Sequence, residues 1–176
     1  MREIIYDVAV SLDGFIAAPG GDASAFPQTG PHADAYFERL GSYGTVIMGR
    51  STYEFGYAFG LEPGARAYPH MDHHIFSTSL KVPEDADVAV IRDDWLAQLT
   101  ALKKTGGAPI YLCGGGMFAG WVAQNGLVDR LILKRAPIVL GQGIRLFEGL
   151  TDPTSWAAGA VTPYDNGVTL LEYARA

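Results

Sequence analysis

At residues 109–117 the sequence reads PIYLCGGGM, an apolar run that ends in three consecutive glycines. The first part, Pro109–Cys113, predicts a buried strand, and a helix is predicted from about Met117 to Gln124. Glycines between a strand and a helix permit a tight turn and the close approach of a pyrophosphate to the backbone. A flexible turn is the alternative. Because ordering three glycines is entropically unfavourable, we favour the phosphate-binding interpretation.

On both sides of this junction, strand-like and helix-like segments alternate. Apolar runs predict strands at Ile4–Val10, Thr45–Met48, Ile75–Phe76, Val88–Ile91 and Asp129–Lys134. Helical spacing of apolar residues predicts helices at His32–Leu40 and Asp94–Lys104. The turn Asp165-Asn166-Gly167, between Ala158–Tyr164 and Val168–Tyr173, predicts a hairpin. The pattern predicts one α/β domain over residues 1–176, with helices on both faces of a mostly parallel sheet and antiparallel strands at one edge.

The composition is typical of a globular protein, with 48% hydrophobic and 18% charged residues in a chain of 176. The net charge of −6 argues against nucleic-acid binding, which requires clustered Lys and Arg. A single cysteine, Cys113, excludes an intrachain disulfide and a multi-cysteine metal site. We find no signal-peptide pattern and no run of about 20 apolar residues, so no membrane association is expected and a cytoplasmic location is the simplest prediction.

Two further strand ends carry glycine or hydroxyl residues. Residues 48–52 read MGRST. The glycine, the arginine charge, the hydroxyls and the free N–H groups at a helix start are all groups that hold a phosphate. The alternative assigns Gly49 to a turn, Ser51 to an ordinary helix cap and Arg50 to the surface. Residues 76–79 read FSTS, whose hydroxyls either hold a second phosphate, such as the 2′-phosphate of NADP, or form a polar turn. All three junctions are expected at the carboxyl edge of one sheet, where ligands of open α/β folds bind.

The order and spacing of these motifs resemble the dihydrofolate reductase-like superfamily. The matching segments are Val46–Tyr53, Ile75–Ser79, Ile110–Gly116 and Asp129–Leu133. The segments Ser11–Ala17 and Pro137–Gly143 are similar to the branch that includes the reductase domain of bifunctional riboflavin-biosynthesis proteins. The resemblance covers nearly the whole chain. It does not include a deaminase domain, because the chain has no His-x-Glu with a paired Cys-x-x-Cys.

This resemblance implies a three-layer α/β/α sandwich with a dihydrofolate reductase-like mixed sheet, NADPH as cofactor, a small-molecule substrate and a homodimer. It also implies which residues hold the cofactor. These are Gly49, Arg50, Ser51 and Thr52 at phosphates and ribose, Ser77, Thr78 and Ser79 near the adenosine 2′-phosphate, Gly114, Gly115, Gly116 and Met117 at the pyrophosphate, and the backbone around Val8, Ala9 and Ser11 at the nicotinamide. A cis Gly-Gly peptide is expected within the glycine run.

Two aspartates are the candidates for a catalytic role. Asp34 lies near the position where the resemblance places a helix carboxylate that binds a pterin ring. A buried carboxylate there would pair with an aminopyrimidine and favour protonation of the ring. The alternative for Asp34 is a charge near a helix N-terminus. Asp13 either contacts substrate or shapes the turn before Gly14.

A small cluster of His70, Asp72, His73 and His74 is the one group that suggests a metal site. Adjacent residues on a strand point to opposite faces of the sheet. His73 and His74 would therefore not face one ion, and no metal site is predicted.

The function expected from these features is hydride transfer from the nicotinamide to a C=N or C=O carbon of a small heterocyclic or carbonyl substrate, aminopyrimidine or pterin-like. The loop at Pro19–Thr29 is rich in Gly and Pro and is a candidate lid. The alternative is a non-catalytic dinucleotide-binding module that acts through partners.

Overall fold

An eight-stranded mixed sheet forms the centre of the computed structural model, which describes all 176 residues. The strands are β1 (Ile4–Val10), β2 (Phe15–Ala17), β3 (Thr45–Gly49), β4 (Asp72–Phe76), β5 (Ala89–Ile91), β6 (Ile110–Gly114), β7 (Arg130–Arg135), β8 (Ile144–Arg145), β9 (Trp156–Pro163) and β10 (Thr169–Arg175). The helices are α1 (Pro31–Leu40), α2 (Arg50–Phe55), α3 (Trp95–Lys104) and α4 (Gly116–Gln124), with short 3-10 turns at Pro19–Gly21 and Gly56–Phe59. Crossing a membrane would require a longer or more apolar helix than any of these.

The strand order of the large sheet is β5-β4-β3-β6-β1-β7-β10-β9, and β2 pairs with β8 in a separate two-stranded sheet. The neighbouring strands from β5 to β7 all run parallel. Strand β10 runs antiparallel to β7 and to β9. The predicted sheet, mostly parallel with an antiparallel C-terminal hairpin at one edge, is therefore confirmed.

Alternate side chains of the central strands are buried on opposite faces of the sheet. Tyr6 of β1 belongs to a core cluster with Leu99 of α3 and Phe118 of α4. Its neighbour Ile5 belongs to a second cluster, which includes Tyr53 of α2. Helices thus cover both faces, which confirms the predicted three-layer α/β/α sandwich.

The structure differs from the sequence prediction at β4 and in the small sheet. Strand β4 begins at Asp72 rather than at Ile75, because residues 72–74 continue the parallel pairing with β3. Strand pairing uses backbone groups and does not require apolar side chains. The small sheet was not predicted, since its strands of three and two residues are too short to show an alternating pattern.

Helix α4 packs closely against the segment 145–148, and this contact depends on Gly120. A Cβ at Gly120 would overlap the carbonyl oxygen of Glu148. We predict that Gly120→Ala lowers the free energy of unfolding by about 1–3 kcal/mol, because the backbone must shift, and lowers the Tm by roughly 2–12 °C. Thermal unfolding measures the change. The control is Gly106→Ala, where a Cβ meets no atom within 4 Å; equal Tm values for the two variants would contradict the prediction.

Candidate active site

The glycine run and the start of α2 lie against each other at the carboxyl edge of the sheet. Gly49 and Gly115 are the N-cap residues of α2 and α4, and no side chain caps either helix. A Cβ at Gly115 would lie 3.2 Å from the Oγ1 of Thr52. The Gly114–Gly115 peptide is cis, as the resemblance implied. The first N–H groups of α4 have no partner within the helix, so this edge presents donors to an anion.

Arg50 connects these two junctions to the third. Its Nη1 donates a hydrogen bond of 2.9 Å to the Oγ of Ser79, which follows β4. Its Nε donates to Glu54 at 2.9 Å, in an ion pair between partly exposed side chains. The structure therefore brings all three predicted phosphate junctions together at one edge. Ser51, Thr78, Ser79 and Met117 are exposed there, as is Arg50 itself.

Some of the predicted cofactor residues have a structural role in the fold. Ser77 is buried, and its hydroxyl accepts hydrogen bonds from the backbone N–H groups of Ser79 and Leu80. A Cβ at Gly116 would overlap the carbonyl oxygen of Arg145, so close packing alone requires this glycine. Ser11 is also buried and accepts a hydrogen bond from the N–H of Phe15. These contacts explain the three residue types without a ligand.

A cavity of about 230 Å³ lies at the same edge, on the face that α1 covers. Val8 and Ala9 of β1, the predicted nicotinamide contacts, form part of its wall together with Lys134 of β7. The loop predicted as a lid also contributes to this wall, through Phe26 and other residues between 23 and 28. Ten of the fourteen lining residues are hydrophobic, so the cavity suits a largely apolar ring.

A buried ion cluster lies behind the cavity wall and reaches the cavity through Lys134. The carboxylate of Asp7 accepts hydrogen bonds from the Nε of Arg39 at 2.8 Å and from the Nζ of Lys134 at 2.6 Å. The hydroxyl of Tyr43 donates to the same carboxylate at 3.2 Å. Side-chain exposure is 0% for Asp7, 8% for Lys134 and 23% for Arg39. The cluster joins β1, α1 and β7 at the point where they enclose the cavity.

Burial sets the protonation behaviour of this cluster. Desolvation lowers the pKa of Lys134, and the adjacent Asp7 carboxylate opposes that change. Desolvation raises the pKa of Tyr43, and the neighbouring Asp7 charge adds to the effect. Tyr43 is therefore neutral at physiological pH.

Tyr36 of α1 holds the ammonium group from the other side. The Nζ of Lys134 lies 3.5 Å from the centroid of the Tyr36 ring, which is a cation–π contact. The hydroxyl of Tyr36 is 2.7 Å from the hydroxyl of Tyr111 on β6. These contacts fix the ring between α1 and the sheet, so that Lys134 has a defined position in the cavity wall.

The two predicted catalytic aspartates lie outside this cavity. Asp34 is exposed and does not line the cavity, although Ala33 and Phe37 of the same helix do. The structure therefore does not place a buried carboxylate at Asp34, and its catalytic role stays a prediction. Asp13 is exposed and accepts hydrogen bonds from the Ser11 hydroxyl and from the N–H groups of residues 140 and 141. Those bonds shape the turn, and a substrate role for Asp13 stays a prediction as well.

Asp7 and Lys134 are the residues of this site that the sequence analysis missed. Asp7 is the one charged residue of β1, which reads IIYDVAV, and Lys134 is the buried charge of β7, which reads RLILKR and has a less buried arginine at each end. A charge in a buried strand is unfavourable unless it is paired. Two such charges of opposite sign were therefore the available signal that the strands are neighbours.

Ring nitrogens of His70 and His73 in the histidine cluster are hydrogen-bonded to backbone groups. His70 lies within 2.9 Å of the carbonyl of Leu40. His73 is buried; its Nδ1 lies 3.0 Å from the Met71 carbonyl, and its Nε2 accepts from the N–H of Tyr68. No group of three His, Cys, Asp or Glu side chains is placed to hold a metal ion.

Comparison with known proteins identifies the family. Residues 2–170 match the family model of the RibD C-terminal domain. The chain belongs to this family. Its relative YwjB, from Bacillus subtilis (strain 168), is 31% identical over 178 residues, which cover 99% of each chain.

Two solved structures share the fold of this chain. The diaminohydroxyphosphoribosylaminopyrimidine deaminase/5-amino-6-(5-phosphoribosylamino)uracil reductase of Thermotoga maritima matches with a TM-score of 0.73 at 15% identity, over 99% of this chain and 57% of that one. Dihydrofolate reductase from Enterococcus faecalis, complexed with NADP(H), matches with a TM-score of 0.70 at 16% identity, over 98% and 96% of the two chains. The predicted family and fold are confirmed, and this family implies an oxidoreductase of the reductase type.

The ion cluster yields a prediction about stability. Asp7→Asn leaves the buried Lys134 and the partly buried Arg39 without a counter-charge, so we expect the free energy of unfolding to fall by about 3–5 kcal/mol. Lys134→Met leaves the Asp7–Arg39 pair intact and should cause a smaller loss. Urea unfolding of both variants measures the difference. If Lys134→Met were as destabilising as Asp7→Asn, the cluster would not depend on its single carboxylate.

A second prediction concerns Asp13. The hydrogen bond from Ser11 is the main cause that holds the pKa of Asp13 at about 2. Ser11→Ala should raise this pKa toward the ordinary value of an aspartate. Because its pKa is lowered, Asp13 stabilises the fold above the pKa of the unfolded chain, and this contribution is lost as the pH falls through the folded-state pKa. In Ser11→Ala the contribution is smaller, since the folded and unfolded pKa values lie closer together.

Carbon NMR of the side-chain carboxylates as a function of pH measures the effect. Asp22, whose pKa is lowered by hydrogen bonds from Ser24, is the internal control and should not change. An unchanged titration of Asp13 in Ser11→Ala would show that Ser11 does not stabilise the charge.

Proposed function

We propose that this protein is an NADPH-dependent reductase that transfers a hydride to a small heterocyclic or carbonyl substrate, aminopyrimidine or pterin-like. The names of two related structures support the proposal, since one is an aminouracil reductase and the other a reductase complexed with NADP(H). The supporting observation in this chain is that three phosphate-type junctions meet beside a mostly apolar cavity at one edge of the sheet.

The phosphate side of the proposal rests on Arg50 and the uncapped start of α4. Arg50 contacts Ser79, so its guanidinium lies between the first and third junctions, where a 2′-phosphate is proposed to bind. Its present partner is Glu54, in a partly exposed i,i+4 pair. Pairs of this type contribute about 0–1 kcal/mol, so a phosphate that approaches Arg50 displaces Glu54 at little cost.

The fit of a pyrophosphate to the glycine run has a geometric basis. The run has a buried Gly114, a half-buried Gly115 against Thr52, and the start of α4 with no side-chain cap. A side chain at Gly115 would crowd the Thr52 hydroxyl, since its Cβ would lie 3.2 Å from the Oγ1. Backbone N–H groups and the helix dipole there favour a negatively charged group.

The cavity is proposed to hold the substrate ring against the nicotinamide. When bound, the reduced nicotinamide supplies the hydride. The backbone of Val8 and Ala9 positions it, and the apolar wall contacts the ring of the substrate. We assign the accompanying proton to solvent, because Asp13 and Asp34 both lie outside the cavity.

The first test is titration of the purified protein with NADPH and with NADH, followed by cofactor fluorescence. We expect NADPH to bind about tenfold more tightly, the equivalent of one hydrogen bond to a charged group. A screen of aminopyrimidines, pterins and small carbonyl compounds for NADPH oxidation then follows. Binding of neither cofactor would refute the proposal, and tight binding without oxidation of NADPH would favour the dinucleotide-binding module.

Arg50→Gln tests the proposed phosphate contact. The variant should weaken NADPH binding about tenfold and change NADH binding much less, because it removes one charge-assisted hydrogen bond to the 2′-phosphate. Lys104→Gln is the matched control, since it removes the same charge from an exposed residue at the end of α3. Equal weakening of both cofactors by Arg50→Gln would contradict a 2′-phosphate contact at this residue.

A further inference from the structure

The buried ion cluster beside the cavity is not electrically neutral. It contains one carboxylate, from Asp7, and two cations, from Arg39 and Lys134. Neither cation has a second carboxylate within salt-bridge distance. Tyr43 and Cys113 do not supply the missing charge, because burial raises the pKa of both. The cluster therefore contains one cation more than it has carboxylates, and the more deeply buried of its two cations is Lys134, whose side chain is 8% exposed against 23% for Arg39.

Lys134 is the member of the cluster that faces the cavity. An ammonium group has three N–H donors. Asp7 is its one hydrogen-bond acceptor in the structure, and the Tyr36 ring covers another side of the group. At least one donor of a buried cation is thus available to an atom that enters the cavity.

The rest of the wall offers little competing polar chemistry. Lys134 is its single charged residue. Both ring nitrogens of His32 are engaged, one with the carbonyl of Pro27 and the other with the amide of Asn166. The side-chain amide of Gln28 donates to two backbone carbonyls. A phosphate dianion in this cavity would meet a single ammonium group, which neutralises only one of its two negative charges.

We infer that the cavity selects a compact planar molecule without a phosphate group, which presents an anionic or electron-rich acceptor atom to Lys134. The volume of about 230 Å³ suits a ligand of one or two rings. The apolar wall covers the ring, and the unpaired charge of the cluster determines which edge of the ring points inward. The inference rests on the proposed function only in treating this ligand as the substrate; the charge selectivity of the cavity stands on the cluster itself.

Benzoate, benzamide and benzamidine provide the test, since they have one shape and are negative, neutral and positive at pH 7. Their dissociation constants are measured by amide NMR titration of the full chain, with the shifts of Val8 and Ala9 locating the site. Benzoate should bind at least about tenfold more tightly than benzamidine, with benzamide between them. Phenyl phosphate should bind about tenfold more weakly than benzoate, because one ammonium does not neutralise a buried dianion.

Lys134→Met should abolish the preference for benzoate, and the matched control Lys104→Met should keep it, because both remove one lysine charge but only Lys134 lies at the cavity. If Lys134→Met does not fold, the wild-type protein still decides the question. The side-chain carbon signal of Lys134 should shift on addition of benzoate and not on addition of benzamidine.

Several results would overturn the inference: equal binding of the three ligands, no binding of any, tighter binding of phenyl phosphate, or a preference that survives Lys134→Met. The cofactor titration distinguishes this failure from that of the proposed function. If the protein binds NADPH but shows no preference for benzoate, only the charge-selectivity inference is refuted. A clear preference for benzoate in a protein that binds no NADPH removes the reductase proposal alone.

Discussion

The carboxylate of Asp7 is the constraint on which the arrangement of the site depends. It lies fully buried in β1, at the centre of the sheet, and a buried charge without partners would be strongly unfavourable. The partners come from α1 through Arg39 and from β7 through Lys134. Satisfying one carboxylate therefore fixes the helix that covers the cavity and the strand that forms its wall.

The glycine-rich strand ends and the cavity have different requirements, and the parallel sheet meets both. The carboxyl ends of β3, β4 and β6 lie together because these strands run parallel to one another in neighbouring positions. Backbone donors and Arg50 accumulate at that edge, whereas the adjacent end of β1 opens into an apolar space. A dinucleotide that spans both would have its charged part at the helix starts and its ring in the cavity.

Packing accounts for several residues whose types had suggested ligand binding. Gly116 is required by the carbonyl of Arg145, and Ser77 stabilises the turn after β4. Asp13 ties its own turn to residues 140 and 141. Such residues support the site by holding its loops in place. Residue type at a junction is thus a weaker guide to ligand contact than the presence of hydrogen-bond donors that have no partner within the fold.

The sequence by itself determined the order of the elements of the large sheet and its helices, because apolar periodicity and glycine placement act over a few neighbouring residues. The motifs at the strand ends indicated the family. It did not reveal the cavity or its ion cluster. Asp7 and Lys134 are separated by 127 positions in the chain and meet only because β1 and β7 pair in parallel. Asp34 is the opposite case: it lies on the helix that covers the cavity, but its side chain does not line the cavity. Contacts between distant segments depend on strand register and helix rotation, and only the tertiary structure decides these.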